Sequence, residues 1–225
     1  MNLKPQVNYL NFRFGKLNTP EFSHLKWLIF WPVFGILFYA LELLRPMDDC
    51  YPMYHPIDDY IPFCEIFVIP YVFWFLYLFG MYAYTLFYDV DAFRRIMKFT
   101  AITYLATIVI YAIFPTRQDL RPMDFERDNF LTRFMADYYA FDTNTNVCPS
   151  LHVIGSAAVC FAGLHGKNFQ TVCWKIWFAV SAVLISISTV FLKPHSILDI
   201  VYAIPLCLVA YFITYPPKKC KNNIE

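Results

Sequence analysis

Charged residues are scarce in this sequence, and internal repeats, low-complexity tracts and long linkers are absent from it. Only 16% of the 225 residues are charged, whereas 59% are hydrophobic and 20% are aromatic, and the mean hydropathy is +0.44. These values exclude an ordinary soluble domain and are typical of a membrane protein. The net charge of +1 gives no indication of nucleic-acid binding, so no nucleic-acid partner is expected.

Recognisable metal and disulfide spacings are also absent from the sequence. None of the seven cysteines belongs to a paired-cysteine motif, and no His-Glu-x-x-His segment occurs. The sequence therefore favours unpaired cysteines, with a Cys50–Cys64 bridge as the alternative, and it predicts neither a metal nor another cofactor. A zinc site made of Cys148, His152 and His195 is the weaker interpretation, because nearby arginines would repel a divalent cation.

Six apolar runs are long enough to be membrane-spanning helices, and they predict an all-α fold, a six-transmembrane-helix bundle. The runs cover about residues 25–44, 61–84, 97–114, 148–165, 172–192 and 195–215. They predict one membrane domain at 25–215, between a polar leader at 1–24 and a tail at 216–225. The first run is too long for a signal-peptide core and lacks a cleavage site, which indicates an uncleaved anchor.

Basic residues are distributed unevenly between the two sets of segments that would alternate along six spans. Twelve lie in or beside the leader, 85–98, 166–175 and the tail, whereas six lie in the other set. Because basic residues are enriched on the cytoplasmic side of membranes, both termini are predicted to be cytoplasmic. The motifs described below would then lie on the extracytoplasmic side.

The predicted outer loop at 115–147 is longer than a plain helix connection requires, which is typical of a functional loop. Within it, residues 130–141 (FLTRFMADYYAF) mix aromatic residues with single charges. This pattern predicts a short helix in the membrane interface. An aromatic interfacial segment without a role in substrate binding is the alternative.

A lysine, a histidine and an aspartate interrupt the apolar stretch 188–200 (STVFLKPHSILDI). His195 and Asp199 are four residues apart and would share one face of a helix, where the carboxylate can bind one ring nitrogen and leave the other free. Pro194 suits the first helical position, which would place His195 beside unpaired backbone N–H groups. Such a position attracts anions, and Lys193 adds a positive charge. A capped helix with an internal His–Asp pair is the structural alternative.

The segment 148–153 (CPSLHV) repeats this arrangement at the start of the fourth apolar run. Pro149 again suits the first helical position, and Ser150 and His152 follow it. A hydrated helix end is the alternative for this segment alone. Two histidines at helix N-termini on the same side of the membrane, however, predict one shared site.

Two arginines follow the third apolar run in the segment 115–122 (PTRQDLRP). Arg117 and Arg121 carry guanidinium groups that stay charged at any working pH and suit a tetrahedral phosphate oxyanion. A salt bridge from Arg117 to Asp119 in a solvated loop is the alternative. The three segments together give three candidate catalytic and four candidate phosphate-binding residues. The catalytic candidates are His195, His152 and Asp199, and the phosphate-binding candidates are Arg121, Ser150, Arg117 and Lys193.

Together these segments resemble the membrane-bound branch of the type 2 phosphatidic acid phosphatase superfamily. The motifs of that family are Lys-x6-Arg-Pro, Pro-Ser-Gly-His and Ser-Arg-x5-His-x3-Asp. The matching residues here are Arg121-Pro122, Pro149-Ser150-Leu151-His152, and Ser188-Thr189 followed by His195 and Asp199. Phe114 and Thr189 stand where the family has a lysine and an arginine. The Ser-Thr pair and the Pro-Ser-Leu-His segment are similar to the branch that includes inositol phosphorylceramide synthases.

The resemblance implies a metal-independent enzyme that hydrolyses a phosphomonoester or pyrophosphate lipid at the outer membrane face. His195 would form a phosphohistidine intermediate, Asp199 would orient it, and His152 would act as acid and base. Transfer of a phospho-headgroup to an alcohol acceptor is the alternative reaction. A non-catalytic protein that binds or transports an anionic lipid is the second alternative.

Overall fold

The computed structural model describes residues 4–216, and most of these residues form α-helices. The helices are α1 (Phe30–Leu44), α2 (Val68–Tyr88), α3 (Val90–Ile113), α4 (Phe130–Phe141), α5 (Leu151–His165), α6 (Val172–Phe191) and α7 (Ile197–Thr214). Two short strands, β1 (Tyr51–Pro52) and β2 (Thr116–Arg117), pair in parallel with Tyr51 opposite Thr116. The predicted all-α class is therefore confirmed for the described residues, which leave out most of the predicted tail at 216–225.

Five helices are long and apolar enough to cross a membrane, as expected of a multi-pass membrane protein. They are Ser23–Leu44, in which a 3-10 turn leads into α1, then Glu65–Tyr88, Val90–Ile113, Val172–Phe191 and Ile197–Thr214. The fourth predicted span corresponds to α5, which is apolar but has only 15 residues. Five of the six predicted spans thus correspond, within residues 4–216, to helices that are long and apolar enough to cross a membrane.

The connection between the second and third helices differs from the prediction. Asp89 alone separates the end of α2 at Tyr88 from the start of α3 at Val90, and its carboxylate accepts a backbone hydrogen bond from the first turn of α3. Aspartate is a favourable N-cap residue, so the second helix can end and the third begin within one residue. The segment 85–98, predicted as a loop, is consequently mostly helical, and Arg95 lies in α3.

The helix termini gather at two opposite ends of the bundle. At the first end, the starts of α5 and α7 meet where the Ser150 N–H donates to the Asp199 carbonyl (3.2 Å). At the second end, Tyr215 after α7 stacks on His165, the last residue of α5, with ring centres 4.4 Å apart. The N-terminal segment also packs there, because the Gln6 N–H donates to the last turn of α2 (2.9 Å). We call these the site end and the leader end.

Helix α5 lies at the centre of the bundle and packs against α2, α3, α6 and α7. Its buried positions are rich in small residues, and the five smallest are Gly155, Ser156, Ala158, Ala162 and Gly163. Small side chains allow neighbouring helices to approach closely in membrane proteins. The closest approach is at Gly163, where the ring of Phe178 from α6 occupies the space that a β-carbon would need.

The substitution Gly163→Ala should destabilise the protein, because the new methyl group would overlap the buried ring of Phe178. Overpacking of this kind costs about 1–3 kcal/mol. Thermal unfolding of the purified protein in detergent measures the effect. The matched control is Gly80→Ala in α2, where no atom lies within 4 Å of the new carbon. An unchanged melting temperature for Gly163→Ala would show that the ring moves freely.

Candidate functional site

The candidate site is built around a hydrogen bond between two buried side chains. Nδ1 of His195 lies 2.8 Å from Oδ2 of Asp199. The same carboxylate oxygen accepts the backbone N–H of Ser196 (3.2 Å), so it acts as an acceptor and Nδ1 carries the proton. The lone pair of Nε2 is therefore directed away from the aspartate and can bind a ligand.

The prediction that Pro194 occupies the first helical position is wrong. Helix α7 begins at Ile197 with Ser196 as its N-cap, and His195 lies before the helix. The reason is a capping box: the Ser196 hydroxyl accepts the N–H of Leu198 (3.2 Å), and Asp199 accepts the N–H of Ser196. His195 is held instead by its own N–H, which donates to a carbonyl near the end of α6 (3.2 Å).

Asp58, from the segment 45–67 between α1 and α2, occupies the N-terminus of α7. Its Oδ1 accepts the N–H of Ile197 (2.9 Å) and its Oδ2 accepts the hydroxyl of Ser196 (2.6 Å), and the residue is fully buried. An aspartate at this position is stabilised by the helix dipole. The N-terminus of α7, which was expected to attract a phosphate, is thus occupied by the side chain of Asp58. This residue was not identified from the sequence. The available signal was the segment His55-Pro56-x-Asp58, itself a capping box.

Lys193 is directed to the same loop and not to the histidines. Its Nζ donates to the backbone carbonyl of Asp58 (2.8 Å), and its φ of 66° turns the chain between α6 and α7. Burial lowers the pKa of Lys193, and the charges of Asp58 and Asp59 oppose that shift. In this structure Lys193 therefore holds the loop, and phosphate binding by Lys193 stays a prediction.

His152, the second residue of α5, faces His195. The two ring centres are 5.7 Å apart and the rings are inclined at 68°. Tyr71 stacks on His152 at 4.6 Å and Trp74 packs at 4.4 Å, both from α2. Among residues 4–216, Nε2 of His152 has no hydrogen-bond partner. The orientation of His152 is therefore set by aromatic packing, and its buried nitrogen is unpaired.

Ser150 is the N-cap of α5, so the prediction that Pro149 takes the first helical position is also wrong. The Ser150 hydroxyl is buried and makes no hydrogen bond within the described part of the chain. It can therefore donate to a ligand oxygen. Burial, followed by the charge of Asp199, raises the pKa of the adjacent Cys148 thiol, which keeps it protonated.

Arg121 is held by the chain that follows α4. Its guanidinium donates to Oδ2 and to the carbonyl of Asp142 (2.7 Å each), and its central carbon lies 4.9 Å from the ring centre of Tyr139. Burial raises the pKa of Asp142, and the positive charge of Arg121 opposes that shift. Asp142 thus supplies the anion that Arg121 binds in this structure.

Arg117 is engaged in a separate set of contacts. Its Nε donates to Asp119 (2.9 Å), and its Nη1 lies 3.3 Å from the carbonyls of Met47 and Cys50. The salt bridge to Asp119 is the one that the alternative interpretation of this segment predicts. No recorded contact within residues 4–216 joins Arg117 to the two histidines, and its role in phosphate binding stays a prediction.

Helix α4 covers the site end and spans the residues predicted for the short helix, Phe130–Phe141. Tyr138 on this helix hydrogen bonds to the hydroxyl of Tyr71 (2.9 Å), the residue that stacks on His152. The neighbouring Tyr139 donates to the carbonyl of Leu192. The helix therefore connects the aromatic wall around His152 with the chain that leads to His195.

A polar cavity of about 590 Å³ lies next to Arg121. Its lining includes Glu42, Arg45, Gln118, Arg121, Asp142 and Asn144. Glu42, from α1, accepts the hydroxyl of Thr145 (3.1 Å) and so joins α1 to the loop after α4. The cavity therefore provides charged and amide groups beside the candidate phosphate-binding arginine.

Three further findings concern the cysteines, the potential metal ligands and the comparisons with known proteins. The six cysteines between residues 4 and 216 are free, and no group of three or more potential metal ligands forms there. Cys220 lies outside the described residues. No protein-family model, curated protein or solved structure matches the chain.

The substitution Asp58→Ala should destabilise the site end, because it removes the carboxylate that accepts hydrogen bonds from Ser196 and Ile197. Hydrogen bonds to a charged group contribute about 1.5–3 kcal/mol each. A lower midpoint of thermal unfolding should report the loss. The neighbouring Asp59→Ala serves as control, since Asp59 is exposed. Equal stability of the two variants would contradict the anchoring role.

Proposed function

We propose that this protein is an integral membrane lipid phosphate phosphatase that cleaves a phosphomonoester or pyrophosphate lipid. The observation that carries the proposal is the buried His195–Asp199 pair with the ring of His152 facing it at 5.7 Å. A site that only binds an anion requires cationic groups. It does not require an oriented base such as His195 with a proposed proton donor, His152, facing it. The motif resemblance supports the same reaction class.

In the first step, Nε2 of His195 attacks phosphorus. The new P–N bond forms as the bond to the leaving lipid oxygen breaks, and His152 donates a proton to that oxygen. Asp199, hydrogen bonded to Nδ1, stabilises the positive charge that develops on the ring of His195. The products of this step are a phosphohistidine and a lipid alcohol, or a phosphohistidine and a lipid monophosphate when the substrate is a pyrophosphate.

In the second step, His152 takes a proton from water and the resulting oxygen attacks the phosphohistidine. The P–N bond breaks, inorganic phosphate leaves and His195 regains its lone pair. Phosphoryl transfer requires mainly positioning and charge neutralisation. Arg121 and the Ser150 hydroxyl are the proposed partners of the non-bridging oxygens, with Arg117 and Lys193 assisting if they release their present carbonyl partners.

The distribution of basic residues supports an extracytoplasmic location for this reaction. The members of the larger set that lie between residues 4 and 216 are found toward the leader end, and the candidate site lies at the opposite end. By the positive-inside bias the leader end faces the cytoplasm. A lipid substrate would then reach the site from the outer leaflet.

A second candidate function is phosphotransfer to an alcohol instead of water. The polar cavity of about 590 Å³ beside Arg121 favours this alternative, because its carboxylate and amide groups suit a hydroxylated acceptor. The chemistry at His195 is the same in both cases. In the transferase the phosphorus bound to His195 carries the headgroup, and an alcohol instead of water attacks it.

The substitution His195→Asn should abolish turnover, with a loss of at least about 10³-fold, because removal of a nucleophile typically costs this much or more. Hydrolysis of lipid phosphates by the purified protein in detergent measures it. His55→Asn is the control, since His55 lies in the outer loop and caps a 3-10 turn that asparagine can also cap. Near-normal activity of His195→Asn would refute the assignment.

A panel of lipid phosphates and phospholipids should separate the candidate functions. Free phosphate alone is expected for the phosphatase, whereas a new lipid species would identify the transferase. Binding without either product would leave only a non-catalytic lipid-binding protein.

Vanadate should inhibit the enzyme, because it adopts the pentacoordinate geometry of phosphorus in the transition state. Transition-state analogues bind far more tightly than substrates. Inhibition should be competitive with the lipid phosphate and should be measured by release of free phosphate. An unaffected rate in excess vanadate would argue against in-line attack by His195.

A further inference from the structure

A second cavity, of about 720 Å³, lies at the leader end, at the far side of the bundle from His195. It is formed where the ends of α5 and α7 meet the second turn of α3. The residues that line it include Arg95, His165, Lys167, Tyr211, Thr214 and Tyr215. The proposed reaction at the site end uses none of these residues.

The cavity has an excess of positive charge. Arg95, on α3, forms no ion pair or side-chain hydrogen bond with any other residue between 4 and 216. Lys167, just after α5, lies 4.0 Å from the carboxylate of Asp91, which is shared with Arg94 at 3.6 Å. Asp91, which does not line the cavity, thus faces two cations, whereas the guanidinium of Arg95 has no ion-pair partner among residues 4–216.

Polar groups that lack partners accompany this charge. The hydroxyls of Thr214 and Tyr215 are buried and have no hydrogen-bond partner within the described residues, and both side chains are more than nine-tenths buried. Nε2 of His165 lies 3.3 Å from the hydroxyl of Tyr211. A planar guanidinium beside hydroxyl donors is well suited to a phosphate group, which offers several acceptor oxygens.

An apolar surface adjoins the cavity along the outside of α7. Phe212, which lines the cavity, is 62% exposed, and Ile213 is 48% exposed. These side chains belong to a helix that is long and apolar enough to cross a membrane, so an acyl chain can lie against them. Basic cavities between helix ends bind the headgroups of anionic lipids in other membrane proteins.

We propose that the cavity at the leader end binds the phosphate group of an anionic ligand through Arg95 and Lys167. This inference does not depend on the proposed catalytic function, because it concerns the opposite end of the molecule. An anionic phospholipid and a soluble phosphate share the relevant chemistry. The exposed apolar surface beside the cavity favours the phospholipid.

Thermal unfolding of the full-length protein in detergent tests this site. Short-chain phosphatidylglycerol, short-chain phosphatidylcholine and inorganic phosphate are added in separate titrations. Phosphatidylglycerol is expected to raise the melting temperature of the unsubstituted protein more than phosphatidylcholine does. The substitution Arg95→Gln should remove at least half of that shift, and Lys167→Gln should reduce it independently.

Arg94→Gln is the matched control, because it removes the same charge from the adjacent residue, whose side chain lies by Asp91 and Ser23 outside the cavity. It should retain the full shift. A shift with inorganic phosphate that Arg95→Gln abolishes would support a soluble ligand, and a shift with phosphatidylglycerol alone would support the lipid. Equal shifts for Arg95→Gln and Arg94→Gln with every probe would overturn the proposal. If Arg95→Gln does not fold, the comparison of Lys167→Gln with Arg94→Gln decides in the same way.

Discussion

The site end depends on one buried carboxylate, that of Asp58 at the N-terminus of α7. This carboxylate accepts hydrogen bonds from the hydroxyl of Ser196 and the N–H of Ile197. The backbone carbonyl of Asp58 accepts a further hydrogen bond from the ammonium group of Lys193. A carboxylate removed from water is costly unless it is fully hydrogen bonded, and the first turn of a helix supplies suitable donors. The segment between α1 and α2 is thereby attached to the segment that carries His195. The position of the candidate nucleophile is thus determined by a residue that is distant in sequence and has no proposed chemical role.

The two proposed catalytic histidines are positioned by different forces. His195 is oriented by a hydrogen bond to Asp199, which fixes its tautomer. His152 is packed between Tyr71 and Trp74 and has an unpaired ring nitrogen, so its rotation is limited by shape instead. This difference suits the two proposed roles, since a nucleophile needs a defined lone pair whereas a proton carrier must both release and accept a proton. Arg121, a candidate phosphate-binding residue, is already bound to the carboxylate of Asp142, which a substrate phosphate would have to displace.

Local sequence patterns predicted the helices, because the burial of a helix is reflected in the residues of its own segment. Apolar runs located the long helices, and mixed aromatic and charged residues located the helix at Phe130–Phe141, because both patterns reflect burial along a single segment. The predicted start of α7 was three residues too early, because Pro194 was taken as the first helical residue. The capping box of Ser196 and Asp199, which is visible in the sequence, indicates the correct start. The capping box of His55 and Asp58 was readable as a local turn, but the contacts of Asp58 with α7 were not, since its partners lie about 138 residues away and no local periodicity indicates such a contact. The partner of Arg121 was missed for the same reason.

The length of α5 has a consequence for the depth of the candidate site. At 1.5 Å per residue, a helix of 15 residues covers roughly 22 Å, whereas the hydrocarbon core of a bilayer is about 30 Å thick. If His165 is level with one membrane boundary, His152 lies several ångströms short of the other. In a bilayer of that thickness, the acyl chains of the surrounding lipids would border the recess on its side. A phospholipid headgroup could then enter by moving laterally and slightly inward from its own leaflet, without leaving the bilayer.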